Sequence, residues 1–324
     1  MGGGTGLSTL LRGLKQYVAT RQNPEQNLPI ADLAAIVTVT DDGGSSGRLR
    51  RDYRILPPGD IRNCLVALSQ DEALLGRLFQ YRFQSGRGLR GHSFGNLFLA
   101  ALTKVTGDFT EAIRLCSEVL AIRGRIFPST PQLVTLEAVK RDGSVVAGET
   151  KISRTHGGIH RVRLVPRRVR PQAGVLEAIR QADLIVMGPG SLYTSIIPNL
   201  LVAGVAGALR RSRATRVYIA NLMTQPGETE GYTVADHIRA IHEHTGGRVF
   251  DWVVMNHAQI SARLLRRYRA DGAEPVVPDL AGLQRLGLRC VYDDLVEEDG
   301  VVRHDAARLT RLLLEEFVHR RPPS

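Results

Sequence analysis

The residues best suited to bind a ligand come first in the chain, in the stretch GGGTGLSTLLRGLK at 2–15. Glycine lets a backbone come close to a ligand because no Cβ intervenes, and the leucines that follow at helical spacing predict an amphipathic helix. The free N–H groups and the positive dipole end of such a helix favour a phosphate. We therefore predict a phosphate cradle, formed by Gly3, Gly4, Thr5 and Gly6.

A tight glycine turn without a ligand is the alternative interpretation of this stretch. The dinucleotide fingerprint G-x-G-x-x-G would need a glycine where Leu7 stands, which lowers the case for a nicotinamide dinucleotide. Ser8 or, one turn earlier, Thr5 is expected to cap the helix.

A cradle of this kind follows a buried strand. Because Met1 alone precedes this one, we expect a strand upstream of Gly2.

A second candidate site follows the stretch LAAIVTVT at 33–40, whose β-branched residues predict a buried strand. Open α/β sheets bind ligands at the carboxyl ends of their strands, and this strand ends in DDGGSSG. The two carboxylates suit ribose hydroxyls, or magnesium held on a diphosphate; the alternative interpretation is a surface turn. The candidate residues are Asp41, Asp42, Gly43, Gly44 and Ser45, the first two also being the candidate metal ligands.

Residues 57–124 predict a helical insertion into the α/β core. Asp60 is expected to cap the first of its helices. Arg62 and Asn63 follow closely enough to face the cleft, although Asn63 also suits a simple capping role. His92 lies in the glycine-rich loop SGRGLRGHSFGN, where a polar side chain is more often functional than in a core, and it is a candidate base.

Alternating apolar residues at 132–166 predict a β-hairpin segment. Within it, His156 and His160 are four residues apart, but the two glycines between them oppose a helix, so no metal pair is expected. The later helix at 231–246 carries three histidines that we expect at a solvated end, namely His237, His242 and His244.

A second strand–glycine loop–helix unit begins with the strand DLIVM at 183–187. Its candidate ligand residues are Gly188, Gly190, Ser191, Leu192 and Tyr193. The next strand places Asn221 at the same kind of edge, and Arg303, just before the last helix, could reach a phosphate. Since these segments all follow predicted parallel strands, they predict one large cleft.

Composition narrows the class of protein. The net charge of +11 comes almost wholly from scattered arginine, which suits anionic small ligands better than nucleic acid. Cys64, Cys116 and Cys290 lack zinc-site spacing and indicate reduced thiols in the cytoplasm. The longest apolar run, 200–209, is half of a membrane span, so no membrane insertion is expected. We expect one α/β domain over 1–324.

The sequence resembles the bacterial gluconeogenesis factor family, a branch of the CofD-like superfamily named for 2-phospho-L-lactate transferase. The resemblance runs in order from residue 2 to the RHD segment at 303–305. Its blocks are GGGTGLSTLLRGLK, VTDDGGSSGRLR, PPGDIRNCLVAL, LRGHSFGNLFLAAL, MGPGSLYTSIIPNLL and ANLMTQPGET.

The resemblance implies a Rossmann-like, mostly parallel sheet with helices on both faces, in a cytoplasmic homodimer. It also implies a regulator that binds UDP-N-acetylglucosamine and is linked to cell shape and cell-wall synthesis on gluconeogenic carbon sources, together with regulatory protein partners. No cofactor would be required, beyond magnesium with the diphosphate of the ligand. By resemblance, ligand contact falls on residues 3–6, Asp41, Asp42, residues 188–193, Asn221 and Arg303.

An enzyme is the alternative function. The related transferases move a phospholactyl group onto a deazaflavin precursor with magnesium. In this chain, Asp41 and Asp42 would then hold the metal and His92 would be the base. The blocks follow the gluconeogenesis factor branch, which favours a regulator without turnover.

Overall fold

The computed structural model describes residues 1–19, 28–70 and 74–319. The strands are β1 (Ala34–Val37), β2 (Arg125–Pro128), β3 (Thr135–Lys140), β4 (Val145–Ala147), β5 (Ile159–Val165), β6 (Leu184–Met187), β7 (Thr215–Ile219), β8 (Trp252–Asn256), β9 (Arg289–Asp293), β10 (Val296–Glu298) and β11 (Val302–His304). The helices are α1 (Gly4–Leu14), α2 (Gly44–Tyr53), α3 (Gly59–Leu68), α4 (Leu75–Gln80), α5 (Phe94–Thr106), α6 (Phe109–Val119), α7 (Glu149–Ile152), α8 (Val175–Gln181), α9 (Ile197–Leu200), α10 (Val205–Arg211), α11 (Val234–Thr245), α12 (Ala262–Ala270), α13 (Leu280–Arg285) and α14 (Ala306–Leu314).

Two parallel sheets form the centre of the molecule, one in the order β6-β7-β8-β9 and one of β1 and β2. Alternate side chains of a strand point to opposite faces, so both faces need cover. Val217 and Ile219 of β7 pack with Leu10 of α1 and with α14, whereas Tyr218 packs into the core on the other face with Ile238 of α11. The predicted α/β fold, mostly parallel with helices on both faces, is confirmed.

Met1 and Gly2 join the two sheets. The Met1 amino group donates to the Val186 carbonyl at 2.6 Å, and the Gly188 N–H donates to the Met1 carbonyl at 3.0 Å. On the other side, the Gly2 N–H donates to the Ile36 carbonyl of β1 at 3.1 Å, and the Gly2 carbonyl accepts from the Thr38 N–H, just after β1, at 2.9 Å. The combined order is β2-β1-(Met1–Gly2)-β6-β7-β8-β9, so the connections run outward in both directions from these two residues.

A cavity of about 380 Å³ lies beside Met1, between β1 and β6. Its walls include residues 34–36 of β1 and residues 184–186 of β6, with Phe317 from the C-terminal segment. Burial lowers the pKa of the Met1 amino group to about 5. The strand expected upstream of Gly2 stays a prediction.

Two segments, residues 57–124 and 132–166, were predicted to lie outside the parallel sheet. Both pack against the α/β core. The helices α3, α4, α5 and α6 lie within residues 57–124, and β3 pairs with β4 and β5 in an antiparallel sheet within residues 132–166. The Val162 N–H of β5 donates to His244 Nε2 at 2.9 Å. His237 and His244 are therefore buried against neighbouring elements, and their predicted solvated position is wrong.

Within the described ranges, no single helix has both the length and the apolar character needed to cross a membrane. One pair of short helical segments, Leu192–Leu200 and Val205–Arg211, passes the test of length and composition together but is bent by 75°.

Candidate functional site

The first glycine loop turns directly into α1. The helix begins at Gly4, with Gly3 extended at the N-cap position and without a side-chain cap. The expected cap by Ser8 or Thr5 is wrong: the Ser8 hydroxyl lies inside the helix and donates to the Thr5 carbonyl at 3.0 Å. The N–H groups of a first turn have no acceptor within their own helix; that of Gly4 donates to the Asp60 carboxylate, and groups at such a position suit an anion.

The two predicted glycine loops lie against each other. A Cβ placed on Gly6 would stand 2.4 Å from the Pro189 carbonyl oxygen, and one on Gly190 would stand 3.4 Å from the Gly3 carbonyl oxygen. Gly188 has φ of +88°, a conformation that favours glycine. The requirement for glycine at position 6 thus follows from the close approach of the two loops, whereas Gly188 is required by its positive φ and by the nearby Ile219 carbonyl.

Amide and hydroxyl side chains hold the second loop in place. The Gly190 N–H donates to Asn221 Oδ1 at 3.2 Å, and Gln225 Nε2 donates to the Ser191 hydroxyl at 2.7 Å. Asn221 and Gln225 both follow β7, so the neighbouring strand fixes this loop. We call Ser191, Asn221 and Gln225 the amide half of the site.

Leu192 and Tyr193 begin a π-helical turn and are buried, 0% and 2% exposed. The Tyr193 hydroxyl is hydrogen-bonded to the Tyr232 hydroxyl at 2.8 Å. Their side chains belong to the core, which leaves their backbone as the part that could meet a ligand.

The carboxylates after β1 have different partners. Asp41 Oδ1 accepts from the Gly43 N–H at 2.8 Å, at the start of α2. Asp42 Oδ1 accepts from the Thr150 N–H at 2.9 Å and from its hydroxyl at 2.7 Å, which ties α7 to this edge. The interpretation of DDGGSSG as a surface turn is wrong, because the stretch opens α2 and buries Ser45.

Ser45 and His92 form a buried pair beside these carboxylates. The Ser45 hydroxyl lies 2.9 Å from His92 Nδ1, and both side chains are less than 10% exposed. Burial, followed by the nearby charge of Arg48, lowers the pKa of His92. The ring is therefore neutral at neutral pH, and Nδ1 can accept the proton of the hydroxyl.

Two further carboxylates lie at the same edge. Burial raises the pKa of Asp60 to about 6, although its carboxylate accepts from the Gly4 N–H, and the expected capping role of Asp60 in α3 is wrong. Glu149 Oε2 accepts from the Thr40 hydroxyl at 2.9 Å, and burial raises the pKa of Glu149 well above its usual value. Sequence reasoning missed Glu149, because only the fold brings α7 against β1. We call Asp41, Asp42, Asp60 and Glu149 the acidic half of the site.

The remaining candidates have partners of their own. Asn63 sits in α3 and accepts from Arg62 at 2.5 Å, while Arg62 also donates to the Ser93 hydroxyl at 2.7 Å. Arg303 is exposed on β11, opposite Glu297 of β10.

Over the described stretches of the chain, no group of three or more His, Cys, Asp or Glu residues has the geometry to hold a metal. Magnesium is commonly bound through one or two carboxylates together with phosphate oxygens and water. By the chemistry of their oxygen donors, Asp41 and Asp42 are the residues that would hold a magnesium ion arriving with a diphosphate.

Comparison with known proteins places this chain in a family. The family model described as 2-phospho-L-lactate transferase CofD matches residues 1–296. The gluconeogenesis factor of Bacillus subtilis is 47% identical over 315 residues, which cover 97% of this chain and 96% of that protein. The gluconeogenesis factor of Halalkalibacterium halodurans is 48% identical, over 97% and 94% of the two chains. This chain belongs to the gluconeogenesis factor family.

Other members agree with this assignment. A putative gluconeogenesis factor from Nostoc is 50% identical over 320 residues, covering 98% of this chain and 68% of the relative. A crystal structure of a Bacillus halodurans protein superposes with a TM-score of 0.91 at 48% identity and covers 97% of both chains. The sequence-based recognition of the gluconeogenesis factor family within the CofD-like superfamily is thus confirmed.

Proposed function

We propose that this gluconeogenesis factor binds a nucleotide sugar of the UDP-N-acetylglucosamine type and acts as a ligand-responsive regulator. The observation that carries the proposal is the contact between the two glycine loops, where Gly6 lies against Pro189. Each loop leads into a helical segment, and backbone N–H groups at such positions bind phosphate. Two of them side by side suit the two phosphates of a nucleoside diphosphate.

The two halves of the site suit the other parts of such a ligand. Carboxylates accept hydrogen bonds from the hydroxyls of ribose and sugar, and the acidic half supplies them. A hydrogen bond to a charged group contributes about 1.5–3 kcal/mol, so two or three explain part of the ~8 kcal/mol of a micromolar complex. Contacts to the base and the sugar must supply the rest, and they would set specificity.

The names of the relatives point to a role in gluconeogenic growth, and we extend the proposal accordingly. The protein would act in the cytoplasm as a homodimer and support cell shape and cell-wall synthesis on gluconeogenic carbon sources. A regulatory protein partner would read the bound state. Magnesium would accompany the diphosphate at Asp41 and Asp42, without another cofactor.

Isothermal titration with UDP-N-acetylglucosamine, with and without magnesium, tests the proposal. We expect micromolar affinity and recovery of the intact ligand from the same sample. Gly190→Ala should weaken binding, because φ at this position is +158°, a conformation that residues with a side chain rarely adopt. Gly207→Ala is the matched control, since its Cβ meets only the flexible Arg211 side chain. Equal affinity in the two variants would contradict this site.

A transferase is the second candidate function, and the Ser45–His92 pair favours it. A neutral histidine that accepts a proton from a hydroxyl beside carboxylates is an arrangement used in general base catalysis. Magnesium would supply charge neutralisation on the diphosphate. Release of a nucleoside phosphate on incubation with magnesium and acceptor, lost in His92→Gln, would make the protein an enzyme. Recovery of the intact ligand alone supports the regulator.

A further inference from the structure

A second cavity opens at the carboxyl ends of β7 and β8, next to the amide half. Its volume is about 290 Å³, close to the lower limit of small-molecule pockets, which suits one ring system better than a whole nucleotide sugar. The walls are predominantly apolar. They include Leu222, Val234, Met255, Ile260, Leu265 and Val276.

Asn221 connects this cavity to the phosphate-binding edge. The residue lines the cavity, and its Oδ1 accepts from the Gly190 N–H at 3.2 Å. With Oδ1 held by the loop, the orientation of the amide is fixed and Nδ2 is its donor. Asn256, also in the wall, is occupied within its own turn: Nδ2 donates to the Ala258 carbonyl at 2.8 Å, and Oδ1 accepts from the Leu295 N–H at 3.0 Å.

The far wall of the cavity is held by backbone hydrogen bonds. The Val276 N–H donates to the Leu222 carbonyl at 3.0 Å, and the Val234 N–H donates to the Val277 carbonyl at 2.8 Å. Val276 lines the cavity, whereas Val277 is 58% exposed and does not. The cavity is therefore formed before a ligand arrives, and one of two adjacent valines faces it.

Position along the sheet decides what this cavity can receive. Ligands of open α/β sheets bind where the connections diverge, which here is the Met1–Gly2 segment and the glycine loops. On the β1 side, the edge carries carboxylates, which suit hydroxyls. On the β7 side, it carries an apolar cavity with an amide at its mouth, which suits a flat ring with polar edge atoms.

We propose that this cavity is the nucleobase subsite, in which Asn221 Nδ2 donates to a carbonyl of the ring. This inference rests on the proposed function and adds the source of base specificity. Uracil is a single ring with such carbonyl oxygens at its edge, whereas adenine is a larger fused ring system whose acceptors are ring nitrogens, and a cavity of about 290 Å³ favours the smaller base. The protein should then prefer UDP to ADP, although both carry the same diphosphate.

Calorimetry with UDP, ADP and inorganic pyrophosphate tests the subsite. We expect wild type to bind UDP at least tenfold more tightly than ADP. Val276→Phe should fill the cavity and lower UDP affinity at least tenfold, with pyrophosphate affinity unchanged. Val277→Phe, one residue away and outside the cavity, should bind all three probes like wild type. Thermal unfolding of both variants reports whether the fold is retained.

Asn221→Ala provides a second readout that does not depend on filling the cavity. Loss of the contact to Gly190 should weaken both nucleotides, but the ratio of UDP to ADP affinity should fall towards one. Unchanged UDP affinity in a folded Val276→Phe, or an unchanged ratio in Asn221→Ala, would overturn the subsite and leave the phosphate site standing. Wild type that binds neither pyrophosphate nor UDP would instead overturn the proposed function itself, and the subsite with it.

Discussion

The acidic and amide halves of the site lie at the same edge of one sheet, yet their chemistry differs. Asp60 and Glu149 in the acidic half are buried carboxyls with raised pKa values. In the amide half, Asn221 and Gln225 are neutral groups that hold the second glycine loop through hydrogen bonds of 3.2 and 2.7 Å. Protonation can change the charge of the acidic half, whereas the amide half has no group that titrates.

Because of this difference, we expect the acidic half and the amide half to contribute to ligand binding in different ways. The acidic half should make ligand affinity depend on pH and magnesium, because its charge must be balanced when an anion arrives. The contribution of the amide half to ligand affinity should depend on neither pH nor magnesium. It should depend on the shape of the ligand. The glycine loops between them are shared, so a change there affects both halves together.

The largest effect should come from Gly6→Ala, which separates the two halves. A Cβ at this position would stand 2.4 Å from a backbone oxygen of Pro189, so the loops must move apart. We expect loss of measurable UDP-N-acetylglucosamine binding by calorimetry, with a lowered melting temperature. Gly207→Ala should behave like wild type, and binding of the Gly6 variant within threefold of wild type would refute the shared edge.

The next effect concerns the pH dependence of stability. Burial raises the pKa of Asp60 from 3.8 to about 6, so the native state holds this proton more tightly than the unfolded state. The stabilisation is complete below about pH 4 and is lost as pH rises through about 6, an effect of at most about 3 kcal/mol. Asp60→Asn keeps an acceptor for the Gly4 N–H and removes this titration.

Urea unfolding at pH 5 and pH 8 measures this effect. The free energy of unfolding of Asp60→Asn should exceed that of wild type more at pH 8 than at pH 5. Exposed Asp271 offers the control, because Asp271→Asn should retain the wild-type pH dependence. The same pH dependence in all three proteins would show that Asp60 titrates normally.

A smaller effect is expected from Asp41→Asn, which tests the charge of the acidic half. Oδ1 can still accept from the Gly43 N–H, so the start of α2 should be retained. Loss of one charge-assisted contact should weaken UDP-N-acetylglucosamine about tenfold in magnesium. Affinity equal to that of Asp271→Asn in calorimetry would remove Asp41 from the site.

The smallest effect should come from Tyr232→Phe, beneath the amide half. It removes the 2.8 Å hydrogen bond to Tyr193 and leaves the rings in edge contact. We expect a loss of about 1 kcal/mol in the free energy of unfolding and less than a threefold change in affinity. A tenfold loss of affinity would mean that the support of the loop matters more than its own contacts.

Local patterns in the sequence were enough to predict the elements that carry the site. The leucines of α1 are buried as their helical spacing predicts, and the β-branched run before Asp41 contains β1. The glycine-rich stretches predicted both loops, because a backbone that packs closely against another segment needs glycine.

Contacts between segments that are distant in the sequence could not be predicted from local patterns. Glu149 lies 109 residues from Thr40, to which it is hydrogen-bonded, and its position in the sequence shows only a hairpin segment. Asp60 looked like a helix cap because capping is a local rule, whereas its carboxylate serves a different helix through Gly4. His244 was expected in solvent because helical spacing does not reveal that β5 covers it.

The seam formed by Met1 and Gly2 has a mechanical consequence. Four backbone hydrogen bonds link this two-residue segment to β1, β6 and the residues that follow them. Both glycine loops follow directly on this seam, since Gly3 continues from Gly2 and Gly188 bonds to Met1. A ligand that bridges the two loops would tie the two sheets together, so binding should raise the force needed to separate them.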